Sequence, residues 1–265
     1  MCGSDLKVYR AVDGPSSLGL GGEDKQVIAG HEPCGTIVEL GKNVNKNNFK
    51  KDMNVMQHHY KGCGICVHCS TGWQQLCVDG VKEVYGVTGH GAHAKYMKCP
   101  ADTLVKLRED ISFKSGAAIS CGTGTAWGAI DRLCLRSYET LAVFGLGPVG
   151  LSAVMIASSM GVNVIALDTN QQRLNRAKSF GAESVLNPLK IDNVVDSIKD
   201  LTNGLGAHSS IDASSSSEAR SQSIKCLRTW GKACFVGEGG NVDIDVSNDL
   251  LRKQITLIGS WTFSK

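Results

Sequence analysis

The sequence predicts an α/β fold built in two unlike halves, and three observations carry that prediction. Between 139 and 262, short apolar strand-like runs alternate with helix-like stretches, the pattern of a parallel sheet covered on both faces. A glycine-rich turn, Phe144-Gly145-Leu146-Gly147-Pro148-Val149-Gly150-Leu151, stands where the first of those strands would pass into a helix. Residues 1–112 differ: they hold 7 of the 11 cysteines and 6 of the 7 histidines, among short β-like runs such as Thr36–Leu40 and Val84–Val87.

Composition excludes several classes. A chain of 265 residues allows one or two domains, and 42% hydrophobic with 20% charged residues is globular rather than disordered. Lys+Arg 28 against Asp+Glu 25 leaves +3, too balanced to select nucleic acid or an anionic membrane. The start, Met1-Cys2-Gly3-Ser4-Asp5, has neither the basic region nor the apolar core of a signal peptide, so a cytoplasmic location is expected. An odd count of 11 cysteines without a secretion signal argues against a disulfide framework and for reduced thiols that bind metal.

The strand candidates, in order, are Thr140–Phe144, Val162–Leu167, Ser184–Leu186, Ser209–Asp212, Ala233–Val236 and Ile255–Ile258. The stretch from Thr140 to Leu167 contains no Asp, Glu, Lys, Arg or His and is long enough to cross a bilayer. Gly145, Gly147, Pro148 and Gly150 cut it early, and Ser158, Ser159 and Asn163 interrupt it later, so strand, tight turn and buried helix is the better reading. A helix over Gln171–Phe180 sets Leu174, Ala177 and Phe180 along one side and stops at Gly181. Asp192 is placed to cap a helix carrying Val194, Val195, Ile198 and Leu201, ending at Gly204. The segment from Phe113 to Leu133 is expected to be helical and to join the halves.

In the glycine turn, Gly145 permits the sharp bend, Gly147 lets backbone approach a pyrophosphate, and Gly150 lets the helix lie close on the sheet. Pro148 and Val149 open the helix, whose free N–H groups suit phosphate. Asp168, at the end of the next strand, is placed to accept both ribose hydroxyls and to repel a 2′-phosphate, which favours NAD over NADP. Arg173 is the only nearby base.

Cys63, Cys66, Cys69 and Cys77 lie in a loop rich in glycine and polar residues. Four thiolates so spaced suit a tetrahedral zinc with Zn–S near ~2.3 Å. Such a site leaves no position for substrate, and its expected role is to stabilise a loop with little core. His68 is a rival ligand, but four cysteines already fill the shell. Of the seven cysteines outside the lobe, Cys2, in Cys-Gly-Ser-Asp, and Cys121, between Ser120 and Gly122-Thr123-Gly124-Thr125, stand out by context, as does Gly30-His31-Glu32.

Taken together, Cys2–Asp5, Gly30–Glu32, the four-cysteine lobe, Cys121–Thr125, Gly145–Gly150 and Asp168 resemble, in order and across nearly the whole chain, the zinc-dependent medium-chain dehydrogenases of alcohol and polyol type. The resemblance implies a GroES-like β-rich catalytic domain over 1–122, with its zinc lobe at 57–82, and a Rossmann NAD-binding domain over 123–265. It implies two zinc ions per complete chain. The catalytic one would be held by Cys2, His31 and Cys121, with Glu32 as the neighbouring acid that exchanges with water. Polyol dehydrogenases of the family commonly carry glutamate where Cys121 stands, so this shell looks more like the simple alcohol type.

The implied reaction moves a hydride between a small-molecule alcohol or polyol and the nicotinamide of NAD, with zinc as Lewis acid. Ser4 resembles the hydroxyl residue that relays the alcohol proton, and Lys7 stands where many relatives have a histidine. Thr125 resembles the residue under the nicotinamide, and Val236-Gly237-Glu238 falls where family backbone groups hold the carboxamide. His59 and His93 fall at walls of the substrate pocket, and imidazoles there suggest a substrate with extra hydroxyls. A homodimer or homotetramer is implied.

Relative to the family, the chain starts at the first zinc ligand and stops at Trp261-Thr262-Phe263-Ser264-Lys265. A fragment is therefore expected, with a weakened catalytic zinc, and the alternative is an NAD-binding protein without turnover. A nucleic-acid zinc module is disfavoured by the low net charge of +3 and by the lack of an aromatic–basic stripe near the lobe. Zinc-free quinone reductases lack the cysteine lobe.

Overall fold

The computed structural model describes residues 2–10 and 26–265. The chain divides into two compact units, Met1–Gly124 with Phe263–Lys265, and Thr125–Thr262.

The second unit is a six-stranded parallel sheet in the order β11-β10-β9-β6-β7-β8. Its strands are β6 (Thr140–Phe144), β7 (Asn163–Leu167), β8 (Ser184–Leu186), β9 (Ala207–Asp212), β10 (Leu227–Phe235) and β11 (Thr256–Gly259). Its helices include α4 (Pro148–Ser159), α5 (Gln171–Ser179), α6 (Val194–Asp200) and α7 (Ser217–Lys225).

Every residue of β6 is buried because successive side chains serve opposite faces. Leu141 and Val143 join Val164, Ala166, Ala153, Val154, Leu174 and Ala177 in one cluster. Ala142 and Phe144 join Ile165, Leu167, Val194, Ile198 and Ile224 in the other. Two-sided burial is why β6 reads as an unbroken apolar run rather than an alternating one. The uncharged stretch 140–167 resolves into β6, the turn, α4 and β7, and among the described residues no helix is long and apolar enough to cross a membrane.

Some boundaries differ from expectation, each for a local reason. α6 is capped by Asn193, not Asp192: the Asn193 side-chain oxygen accepts from the N–H groups of Val195 and Asp196 at 2.9 and 3.2 Å. β10 begins at Leu227, ahead of Ala233, and its ladder is interrupted before Lys232, where Trp230 adopts φ 65°. The expected stop at Gly181 holds, with φ 99°, whereas α6 ends early, at Asp200 with its cap at Leu201, and Gly204, with φ 80°, lies in the turn beyond it.

The first unit contains an antiparallel sheet in the order β1-β2-β5 and a two-stranded pair β3-β4. These are β1 (Cys34–Thr36), β2 (Asn54–Gln57), β3 (Tyr60–Lys61), β4 (Glu83–Val84) and β5 (Leu104–Lys106). The run expected over Thr36–Leu40 is strand only at its first residue. Ile37 still bonds Met53 and Asp52, but Asp52 turns the chain with φ 69° and the ladder stops. A helix not foreseen from sequence, α1 (Gly3–Arg10), starts the described chain.

The helical segment expected over Phe113–Leu133 is α2 (Phe113–Ala118), a wide π-type turn over Ile119–Thr123, and α3 (Gly124–Leu133), which enters the second unit. Ser112 caps α2 by accepting from Ser115 N–H at 3.2 Å.

Candidate metal centres and glycine turn

Three segments of the first unit converge. One ligand atom each from Cys2, His31 and Cys121 lies within 4.8 Å of the others. Cys2 immediately precedes α1, His31 follows a bend at Gly30, and Cys121 sits in the π-type turn, an irregularity that helices often carry at working sites. The bend at Gly30 has φ 99° and is clasped by two further glycines. A Cβ on Gly91 would lie 2.3 Å from the Gly30 oxygen, and one on Gly86 would lie 2.6 Å from the Gly30 carbonyl carbon.

Asp5, in the first turn of α1, is buried and accepts two hydrogen bonds: from Cys2 N–H at 2.8 Å and from His31 Nδ1 at 2.7 Å. A carboxylate only accepts, so His31 Nδ1 carries the proton that Asp5 receives, which leaves Nε2 as the nitrogen for a metal. Burial is the largest single influence and opposes charge on both partners, but their mutual hydrogen bond, the bonds with Cys2 and the opposite charges together outweigh it: Asp5 is held down at about 2 and His31 is raised to about 9. The Cys121 thiol, 3.9 Å from Cys2 Sγ, is the largest influence that brings Cys2 down to about 3; Cys121 itself is pushed up by that same contact and by burial. A thiolate, an imidazole whose Nε2 would yield its proton to a metal, and a second thiol are a donor set that fits zinc.

The other predicted residues take various places. Ser4 Oγ lies 3.9 Å from Cys2 Sγ. Glu32 is half-buried next to His31 but does not share the cluster of Cys2, His31 and Cys121, and Lys7 is exposed. His59 is buried, and its ring meets that of His31 edge-on with centroids 5.1 Å apart. Its Nδ1 bonds the Ser120 carbonyl at 3.3 Å, which makes Nδ1 the protonated nitrogen, and burial holds its pKa well below the usual 6.5. His93 is exposed, with its ring over Gly30, where a Cβ would approach it to 2.5 Å.

The ligand atoms of Cys63, Cys66, Cys69 and Cys77 also lie within 4.8 Å of one another, and all four thiols are free. Backbone N–H groups point at their sulfurs: Cys63 N–H at Cys77 Sγ, 3.3 Å, Cys66 N–H at Cys63 Sγ, 3.4 Å, and Cys69 N–H at Cys66 Sγ, 3.5 Å. The last of these leads the influences that bring Cys66 down to about 6. Donors aimed at sulfur favour thiolates, and four thiolates fit a closed zinc site. His68 stands apart from this group; its carbonyl caps the turn at Thr71 and Trp73.

In the second unit the glycine turn takes the form its residues allow. Gly145 has φ 86°, and a Cβ there would lie 2.8 Å from the Ser214 backbone. Gly147 faces open space and starts α4 with no side-chain cap, and Pro148 sits in the first turn. Asp168 is 8% exposed; its Oδ2 accepts from Leu146 N–H at 2.7 Å and its Oδ1 from Asn170 N–H at 2.8 Å. One carboxylate thus joins the end of β7 to the glycine turn. Arg173 stands 3.5 Å from Oδ2 with its side chain 54% exposed. Thr125 is buried early in α3, and the N–H groups of Val236 and Gly237 both donate to the Asp212 carbonyl at 2.9 Å.

Sequence reasoning missed the part played by Asp5 and the buried pair Asp212–Arg220. Asp5 had a signal, a carboxylate three positions after a candidate ligand; nothing local marks Arg220.

Comparison with known proteins agrees with this geometry. The profile described as "Alcohol dehydrogenase GroES-like domain" matches residues 1–109, and "Zinc-binding dehydrogenase" matches 148–265. The chain is 34% identical to the uncharacterized zinc-type alcohol dehydrogenase-like protein YphC of Escherichia coli, over all of this chain and 74% of that one. It is 30% identical to a sorbitol dehydrogenase of Halalkalibacterium halodurans, over 98% of this chain and 73% of that one. The alcohol dehydrogenase structure from Aeropyrum pernix superposes with TM-score 0.88 at 25% identity, covering all of this chain and 75% of that one.

Proposed function

Because the chain belongs to the zinc-dependent medium-chain dehydrogenase family of alcohol dehydrogenase type, we propose that it transfers hydride between a primary or secondary alcohol, or a polyol, and NAD. The carrying observation is the cluster of Cys2, His31 and Cys121 with Asp5 behind His31. When bound, zinc in that cluster would supply Lewis acidity toward a substrate oxygen, and NAD would supply the hydride acceptor.

Cys2, His31 and Cys121 would hold a zinc with room left for substrate or water, with Glu32 as the exchanging neighbour, whereas the four cysteines of the lobe would hold a closed, structural one. Asp5 orients His31 and raises its basicity as a ligand. Ser4, beside Cys2, takes the alcohol proton onward at its hydroxyl. Asp168 receives the ribose hydroxyls and disfavours the extra phosphate of NADP, with Arg173 at its flank. Gly145, Gly147, Pro148, Val149 and Gly150 receive the pyrophosphate; Thr125, Val236 and Gly237 hold the nicotinamide end. Residues 1–122 act as the catalytic domain and 123–265 as the nucleotide domain of a homodimer or homotetramer. His59, with Nε2 as acceptor, and His93 suit a substrate rich in hydroxyls, and the similarity to a sorbitol dehydrogenase supports that choice.

The test is zinc content by mass spectrometry together with NADH absorbance across an alcohol and polyol panel, with NAD and NADP. Turnover with NAD on polyols is expected. Asp5→Asn should lower zinc occupancy or turnover by about 10- to 100-fold while the lobe keeps its metal. Full activity in that variant overturns the assignment of the cluster; NADH binding with no turnover on any member of the panel leaves a nucleotide-binding protein instead.

A further inference from the structure

The strand order reverses at β6: β7 and β8 lie to one side, β9, β10 and β11 to the other. In open parallel sheets ligands bind outside the carboxyl ends of the strands at such a point. Three loops stand there: the glycine turn after β6, Ser214–Ser216 after β9, and residues 236–240 after β10. They are packed backbone to backbone. A Cβ on Gly145 would lie 2.8 Å from the Ser214 backbone, one on Gly237 2.6 Å from Ser215 N, and one on Gly240 2.6 Å from the Ser215 oxygen.

A single buried ion pair reaches both flanking loops. Asp212 is 0% and Arg220 7% exposed. Arg220 Nε donates to Asp212 Oδ2 at 2.9 Å, and its two terminal nitrogens donate to the carbonyls of Gly239 and Gly237. Asp212 Oδ1 accepts from Ser214 N–H at 2.9 Å and from Ser214 Oγ at 2.6 Å. Burying such a pair adds little net stability over an apolar core, so its value lies in what it orients. A planar fork of donors fixes two carbonyls at once, which a lysine point charge does not. In a trans peptide the next N–H points opposite to the carbonyl. Turning the Gly237 and Gly239 carbonyls toward Arg220 therefore sets the Glu238 and Gly240 N–H groups away from it.

We propose that Arg220 is a positioning residue for the nicotinamide end of the cofactor: by gripping the Gly237 and Gly239 carbonyls it sets the 236–240 backbone to receive the carboxamide. This rests on the dehydrogenase reading, which assigns the carboxamide to that backbone.

The test compares NADH with ADP-ribose, which has the same adenine and pyrophosphate but no nicotinamide. Titrations use the wild-type chain, Arg220→Met and Arg220→Lys, with zinc content and circular dichroism recorded for each. Arg220→Met should weaken NADH by about tenfold or more while ADP-ribose changes by less than about twofold. Arg220→Lys, which keeps the charge opposite Asp212 but loses the fork, should show the same split to a smaller degree. The KM for NAD should rise at unchanged zinc content. If the Met variant fails to fold, the split in the Lys variant decides. Equal weakening of both ligands, or of neither, overturns the role of Arg220 alone. A wild-type chain that binds neither ligand overturns the cofactor reading itself.

Discussion

Asp5 orients two candidate ligands with one carboxylate, because the Cys2 backbone and the His31 ring donate to its two oxygens. His208 shows the opposite case. Thr140 N–H donates to its Nδ1 at 3.1 Å and the Arg228 guanidinium meets its Nε2 at 2.8 Å, so the ring faces donors on both sides. Burial first, and the Arg228 charge second, lower its pKa from 6.5. The unfolded chain takes up this proton near 6.5 and the folded one only at lower pH. The contribution of His208 to stability is therefore complete above 6.5 and is lost as pH falls through the folded value. Its midpoint by NMR should lie below 6.5 and move up in Arg228→Gln; a midpoint at or above 6.5 in the native protein contradicts this. Spacing and context made His31 readable in the sequence. The environment of His208 was not, since its partners come from 68 and 20 positions away.

At the scale of the element, two glycines of one turn make opposite demands. A Cβ on Gly150 would lie 1.8 Å from the Gly145 carbonyl oxygen, backbone against backbone with nothing free to give. Alanine gains about 1 kcal/mol over glycine inside a helix, but this clash is larger. Gly150→Ala should destabilise by about 1–3 kcal/mol and weaken NADH binding. Gly147 has φ −69° and nothing within 4 Å of an added Cβ, so Gly147→Ala should stay within about 0.5 kcal/mol of wild type. Urea denaturation of the pair checks both, and equal losses would show that the close approach does not govern the turn. Gly150 was legible because a strand, GxGxxG and a helix follow one another in sequence. The start of β10 and the end of β1 were not, because φ 65° at Trp230 and 69° at Asp52 are set by tertiary pairing rather than by residue type.

Across the whole molecule, apolar burial is unequally shared. The second unit carries two large clusters, one on each face of its sheet. In the first unit, among the described residues, the separate apolar cluster is Tyr60, Val84 and Val87 with Val8 and Val81. This asymmetry follows from the sequence: the continuous apolar runs of β6 and β7 announce a core, while a loop of cysteines, glycines and polar residues announces a site held by other means. A structural zinc contributes on the order of 10 kcal/mol of folding-coupled binding, far more than so small a cluster supplies. Chelation should therefore act locally. After treatment with a strong chelator, hydrogen exchange should accelerate over Cys63–Cys77 and the adjoining β3–β4 pair, while amides of β6, β7 and β9 keep their protection. Cys69→Ser should reproduce the pattern without chelator, because three thiolates no longer close the shell. Exchange that rises equally in both units would mean that the lobe's metal supports more than its own loop, and unchanged exchange would mean that Cys63, Cys66, Cys69 and Cys77 hold no ion that matters to the fold.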